Sequence, residues 1–190
     1  GVDFFEEINK KIENLKIIAE DLGDITEDVI ILRNQFKFPG MKIIQFEFED
    51  CNFNKEFSEN SVLYTGTHDN DTLKGWINSL PNTSSVNNLC REKLKNEFIS
   101  DDTGWDIIKF VLQSKSKWVI FPLQDILNLG SNSRFNSPGT FSKKNWRWRF
   151  KENQLNKNLK DKMKKILIKS DRISIKFTEQ NPNIKFKDLF

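Results

Sequence analysis

Short apolar runs that end in carboxylates and then give way to a helix start are what most constrain this chain. Lys16-Ile17-Ile18-Ala19 ends in Glu20-Asp21-Leu22-Gly23, and Thr26-Glu27-Asp28 follows as a helix N-cap with an acidic first turn. Val62-Leu63-Tyr64 ends in Thr65-Gly66-Thr67-His68-Asp69-Asn70-Asp71-Thr72, which carries the only histidine. Strands that alternate with helices read as a parallel sheet. Carboxylates at the C-terminal ends of such strands are where a (β/α)₈ barrel keeps its chemistry.

The rest of the chain extends the alternation. Phe5, Ile8, Ile12 and Leu15 recur at helical spacing and predict a helix over residues 3–14, ahead of a first strand at 16–20. A helix over 27–36 stops at Pro39-Gly40, and 41–48 reads as a second strand. Residues 49–61 read as a loop, 62–65 as a third strand, and 88–98 and 104–114 as helices. A fourth strand at 117–122, a short helix at 124–129 and a Ser-, Asn- and Gly-rich loop at 130–145 follow. Leu155, Leu159, Met163, Ile166 and Leu167 then form one apolar stripe on a Lys-rich helix. Four strand–helix units cannot close a barrel that needs eight. The pattern fits either a small open sheet or the C-terminal half of a barrel.

Composition narrows the class. The chain has 190 residues, 37% hydrophobic and 30% charged, enough for one domain with a core. No apolar run approaches the roughly 20 residues of a membrane helix, so no membrane partner is expected. Cys51 and Cys90 fit no metal or redox spacing and read as free thiols. The expected compartment is the cytoplasm, with a plastid as the alternative. The net charge of +3 is uneven: residues 151–190 carry eleven Lys or Arg against five Asp or Glu. A solvated helix face explains this surplus better than a nucleic-acid partner does.

Seven segments, taken in order, resemble one family. They are Ala19-Glu20-Asp21-Leu22-Gly23, Phe38-Pro39-Gly40-Met41-Lys42, Tyr64 to Thr72, Gly75-Trp76, Pro122-Leu123-Gln124-Asp125, Asn136-Ser137-Pro138-Gly139 and Asn145-Trp146-Arg147-Trp148-Arg149. Together they resemble the 4-alpha-glucanotransferases, the amylomaltase or disproportionating enzymes of the alpha-amylase clan. The resemblance covers roughly Leu15 to Phe150 and is nearer to the plastid and bacterial type.

The resemblance implies an α/β fold, the C-terminal half of a (β/α)₈ barrel with about four parallel strands in residues 1–170, and a tail at 171–190. It implies retaining transfer of an α-1,4-glucan segment to the 4-hydroxyl of another chain, without metal or other cofactor. Glu20 would be the general acid/base, Asp69 would hold sugar hydroxyls and support the transition state, and His68 would bind sugar. Asn70 joins this binding set, and Asp50 is an acceptor-side candidate. The family's nucleophile lies in an Arg-x-Asp-His motif on the preceding strand, which this sequence does not contain. The missing N-terminal half of the barrel is therefore an expected partner, beside maltodextrins, starch or glycogen.

These residue types suit that chemistry. A retaining mechanism places two carboxyls about 5–5.5 Å apart, one as nucleophile and one as acid/base. Asp21 should point away from Glu20 if strand geometry continues. A further carboxylate can bind ring hydroxyls and balance oxocarbenium charge. Trp146 and Trp148 are expected to pack the barrel, and Arg147 and Arg149 to form ion pairs. Two other readings stay open: a non-catalytic glucan-binding half-barrel without a nucleophile, and an α-glucan hydrolase.

Overall fold

The computed structural model describes residues 1–13, 15–49, 57–81 and 103–173. The helix expected at 88–98, both cysteines and Asp50 lie outside them. The described elements run α1 (Val2–Lys11), α2 (Glu27–Gln35), β1 (Gly40–Ile43), α3 (Ile44–Glu49), β2 (Ser61–Tyr64) and α4 (Leu73–Ser79). They continue with α5 (Thr103–Leu112), β3 (Trp118–Ile120), α6 (Leu123–Ile126) and α7 (Lys157–Lys169).

The three strands form one parallel sheet in chain order, with Met41 opposite Val62 and Val62 opposite Trp118. Parallel neighbours need crossovers, and the helices supply them. Leu63 and Val119 face a core with Ile44, Phe48, Trp105, Ile108, Val111 and Met163. Each fully buried aliphatic side chain of this kind contributes roughly 1.5–3 kcal/mol. Met41, Ile43, Tyr64 and Ile120 face a cleft instead. On this face Ile43 is buried at 2% exposure, while Ile120 on β3 remains 42% exposed.

Two expected strands are corrected. Residues 16–20 make a single bridge, Ala19 to Gly40, in place of a strand. The Ala19 amide donates to the Pro39 carbonyl at 2.9 Å. Extending the ladder back by one pair would need an N–H at position 39, and proline has none. In the other direction, the Met41 amide also donates to Asp21 Oδ1 at 2.7 Å. The described sheet therefore has three strands, not four.

The second correction falls at residues 41–48, where the strand stops at Ile43 and α3 takes over. Ile44 and Phe48, four apart, are both fully buried. A short apolar run is compatible with either period, and here the helical one wins.

Helix ends follow local chemistry. Thr72 Oγ1 accepts from the Gly75 amide at the start of α4, and Asn156 Oδ1 accepts from the Leu159 amide at the start of α7. Thr26 occupies the N-cap of α2, as expected, but makes no side-chain cap bond. Past α7, Arg172 donates to the carbonyls of Leu112, Ser114 and Ser116, tying residues 171–173 to the end of α5. No helix among the described residues is long and apolar enough to cross a membrane.

Candidate active site

The C-terminal ends of parallel strands share one rim, because the strands share one direction. A cleft of about 1100 Å³ opens there, and Glu20, His68, Asp69, Asn70, Tyr64 and Arg134 are among the residues that line it. The chain brings together four of the five residues singled out in the sequence, from segments about fifty positions apart. The fifth, Asp50, lies outside the described residues.

Glu20 reaches the cleft because the bridge at Ala19 fixes the backbone just before it. Asp21 turns the opposite way, into an ion pair with Arg33, and does not line the cleft. The two adjacent carboxylates are thus separated by strand geometry, as alternation requires. Gly40 makes room for this pair: a Cβ there would lie 2.5 Å from Asp21 Oδ2 and 2.8 Å from the Arg33 guanidinium.

The loop after β2 is built by its own side chains. Asn70 Oδ1 accepts from the Thr67 amide at 2.9 Å and from the Thr67 hydroxyl at 2.8 Å, so its side-chain oxygen shapes the turn. Gln45, buried on α3, donates to the carbonyls of Thr65 and Asp71 at 3.0 and 2.9 Å. Asp125 accepts from the Thr65 hydroxyl at 2.7 Å and the Leu73 amide at 2.8 Å, joining the end of β2 to the start of α4. Burial pushes its carboxyl up to about 6. With both ends held, the loop presents His68 and Asp69 outward, with side chains 56% and 47% exposed.

His68 Nε2 stands 3.4 Å from Asp69 Oδ2. Asp69 Oδ1 accepts from Asn136 Nδ2 at 2.6 Å. Tyr64 closes β2 at the cleft wall, and burial raises its phenol above the ordinary value, so it stays a neutral donor and acceptor at pH 7. Trp76 Nε1 donates to Glu49 Oε1 at 3.0 Å on the same wall. Carboxylates, an imidazole, a phenol and aromatic faces around an open cleft suit a polyhydroxylated ligand. Among the described residues, no group of three or more His, Cys, Asp or Glu could hold a metal ion.

Two expectations near the rim are corrected. Trp146 is 52% exposed and sets its ring 5.1 Å from the His68 ring, so it backs the site and does not pack a core. Arg147 and Arg149 form no ion pair among the described residues, and Arg149 donates to the Trp148 carbonyl at 2.7 Å. Arg134 and Asn136 carry no signal of a role in the sequence, because their contacts to Asp69, 65 and 67 positions away, leave no local pattern to read.

Comparison with known proteins gives one answer. The sequence profile of the family described as 4-alpha-glucanotransferase matches residues 1–156. The chain is similar to a 4-alpha-glucanotransferase of Synechocystis sp., 42% identical over 168 residues, which cover 82% of this chain and 31% of that protein. It is also similar to the chloroplastic/amyloplastic 4-alpha-glucanotransferase of Solanum tuberosum, 39% identical over 171 residues, covering 87% of this chain and 29% of that one. Among solved structures, an amylomaltase from Streptococcus agalactiae in complex with acarbose superposes with a TM-score of 0.81 at 31% identity. The match takes in 90% of this chain and 34% of that one. The chain spans about a third of the length of the relatives it matches.

Proposed function

The chain belongs to the 4-alpha-glucanotransferase family, and from that premise we propose that it supplies the acid/base and sugar-gripping part of a retaining glucan transferase. Residues 1–170 form the C-terminal half of a (β/α)₈ barrel, followed by the tail at 171–190. An upstream half packs over the sheet face that carries Ile120 and brings the nucleophilic carboxylate. The substrates are α-1,4-glucans such as maltodextrins, starch or glycogen, handled in the cytoplasm or in a plastid, and no metal takes part.

The observation that carries this reading is the convergence of Glu20, His68 and Asp69 on one cleft at the C-terminal rim of a parallel sheet. Glu20 protonates the leaving glycosidic oxygen, then takes the proton of the acceptor's 4-hydroxyl when that oxygen attacks the glycosyl intermediate. Asp69 accepts hydrogen bonds from ring hydroxyls and balances the positive charge that develops on the sugar. His68 donates to the same sugar. Packing the upstream half over the open face removes water from the cleft, which favours a sugar acceptor over hydrolysis.

The test joins the upstream part of the Synechocystis relative ahead of Gly1 and incubates the product with maltotriose. Glucose together with longer maltodextrins is expected from the joined protein. Glucose without longer products would make it a hydrolase. A folded joined protein that binds maltotriose without turnover would make this part a non-catalytic glucan-binding module.

A further inference from the structure

We propose that Arg134, Asn136 and Trp146 form a clamp that positions the His68-Asp69 pair, and that glucan affinity depends on it. The proposal rests on the reading of His68 and Asp69 as the sugar grip.

Three hydrogen bonds from one irregular segment converge on two adjacent residues, and a fourth braces the segment itself. Asn136 Nδ2 donates to Asp69 Oδ1 at 2.6 Å, which fixes one oxygen of the carboxylate and leaves the other toward His68. The Asn136 amide donates to the His68 carbonyl at 3.1 Å. Arg134 donates through one nitrogen to the Asp69 carbonyl at 2.6 Å and through Nε to the Asn136 carbonyl at 2.7 Å. One planar guanidinium therefore ties the clamp to the loop it holds, a geometry that lysine cannot reproduce.

Trp146 completes the arrangement from behind. Its amide donates to the Phe135 carbonyl at 2.8 Å, and its ring stands edge-on to Phe135 at 5.2 Å and tilted against His68 at 5.1 Å. Its φ of 64° lies in the left-handed region, which a bulky residue adopts only when its surroundings impose it. The backbone accepts that conformation where it sets an aromatic face on the imidazole. The loop is anchored at its far end too, since Ser131 Oγ donates to Asp71 Oδ2 at 2.7 Å. Half-exposed side chains such as His68 and Asp69 sample several rotamers unless they are held. A sugar grip needs one geometry, and these contacts impose it.

The test uses the full chain. His68 is the sole histidine, so its ring protons give isolated NMR signals that carry the ring-current shift of Trp146. Asn136→Ala and Arg134→Lys should move these signals toward random-coil positions and weaken maltoheptaose binding about tenfold, the loss expected for a charge-assisted hydrogen bond. Asn136→Asp keeps the shape but sets two carboxylates together. It should bind worst of the three at pH 7, because like charges repel where the amide had donated. A purely structural role would not place the near-isosteric Asn136→Asp below Asn136→Ala. Unmoved His68 signals in Asn136→Ala and Arg134→Lys would overturn the clamp, as would moved signals with unchanged maltoheptaose affinity. Affinity is read in the joined protein, where a wild type that binds no maltoheptaose would refute the sugar-grip reading, and the link to affinity with it. The His68 signals would still decide whether the clamp holds the loop.

Discussion

Asp125 shows how much one side chain does at the rim. It is 2% exposed, accepts from Thr65 and Leu73, and has its carboxyl pushed up to about 6, first by desolvation. A carboxyl raised on folding binds its proton more tightly in the folded state. Its contribution is therefore fully present below the unfolded value near 4 and is lost as pH rises through 6. Two units correspond to about 3 kcal/mol as an order of magnitude. Urea unfolding should show the wild type losing stability relative to Asp125→Asn between pH 4 and 6.5, and a pH-independent difference would contradict this. Gly40→Ala should cost about 2 kcal/mol in the same assay, because its Cβ displaces the Asp21–Arg33 pair. A neutral substitution would mean that the pair yields freely. At this scale the sequence showed Glu20, His68 and Asp69 through their motifs. Arg134 escaped because it holds the Asp69 carbonyl from 65 residues away. A backbone carbonyl contact of that kind imprints no side-chain pattern.

Elements were legible where periodicity was unambiguous. α1 and α7 repeat apolar positions at helical spacing, and α2 falls where the Thr26 N-cap and the Pro39-Gly40 stop bracket it. The run at 41–48 misled because Ile, Phe and Gln in alternation suit a strand as well as a turn of helix. Burial of Ile44 and Phe48 against the core decides for the helix. At 16–20 the apolar content suggested a strand, and Pro39, which has no N–H to give, keeps the single bridge from extending back along it. Arg172 gives an element-scale prediction. Its guanidinium satisfies carbonyls at the end of α5 that would otherwise lack partners. Arg172→Ala should lower the unfolding free energy by about 2 kcal/mol, with Arg172→Lys recovering only part of it. Full recovery by lysine would show that charge alone suffices.

At the scale of the whole molecule, the open part of the sheet is its β3 side. β3 leaves Trp118 36% and Ile120 42% exposed, and an exposed apolar edge strand is a template for association. The chain by itself should self-associate in sedimentation, and the joined protein should not. A monodisperse monomer would contradict this expectation. The parallel α/β sheet was legible in the alternation of strands and helices, although the alternation could not choose between an open sheet and part of a barrel. The most direct test of the central claim, that Glu20 is the acid/base of this site, compares two substrates in the joined protein carrying Glu20→Gln. Transfer from maltotriose should fall about 10²–10⁴-fold. Fluoride release from α-maltosyl fluoride, with azide as acceptor, should stay near wild type, because neither the leaving group nor the acceptor then needs a proton transfer. Equal loss on both substrates, or no loss on maltotriose, would show that Glu20 is not the acid/base.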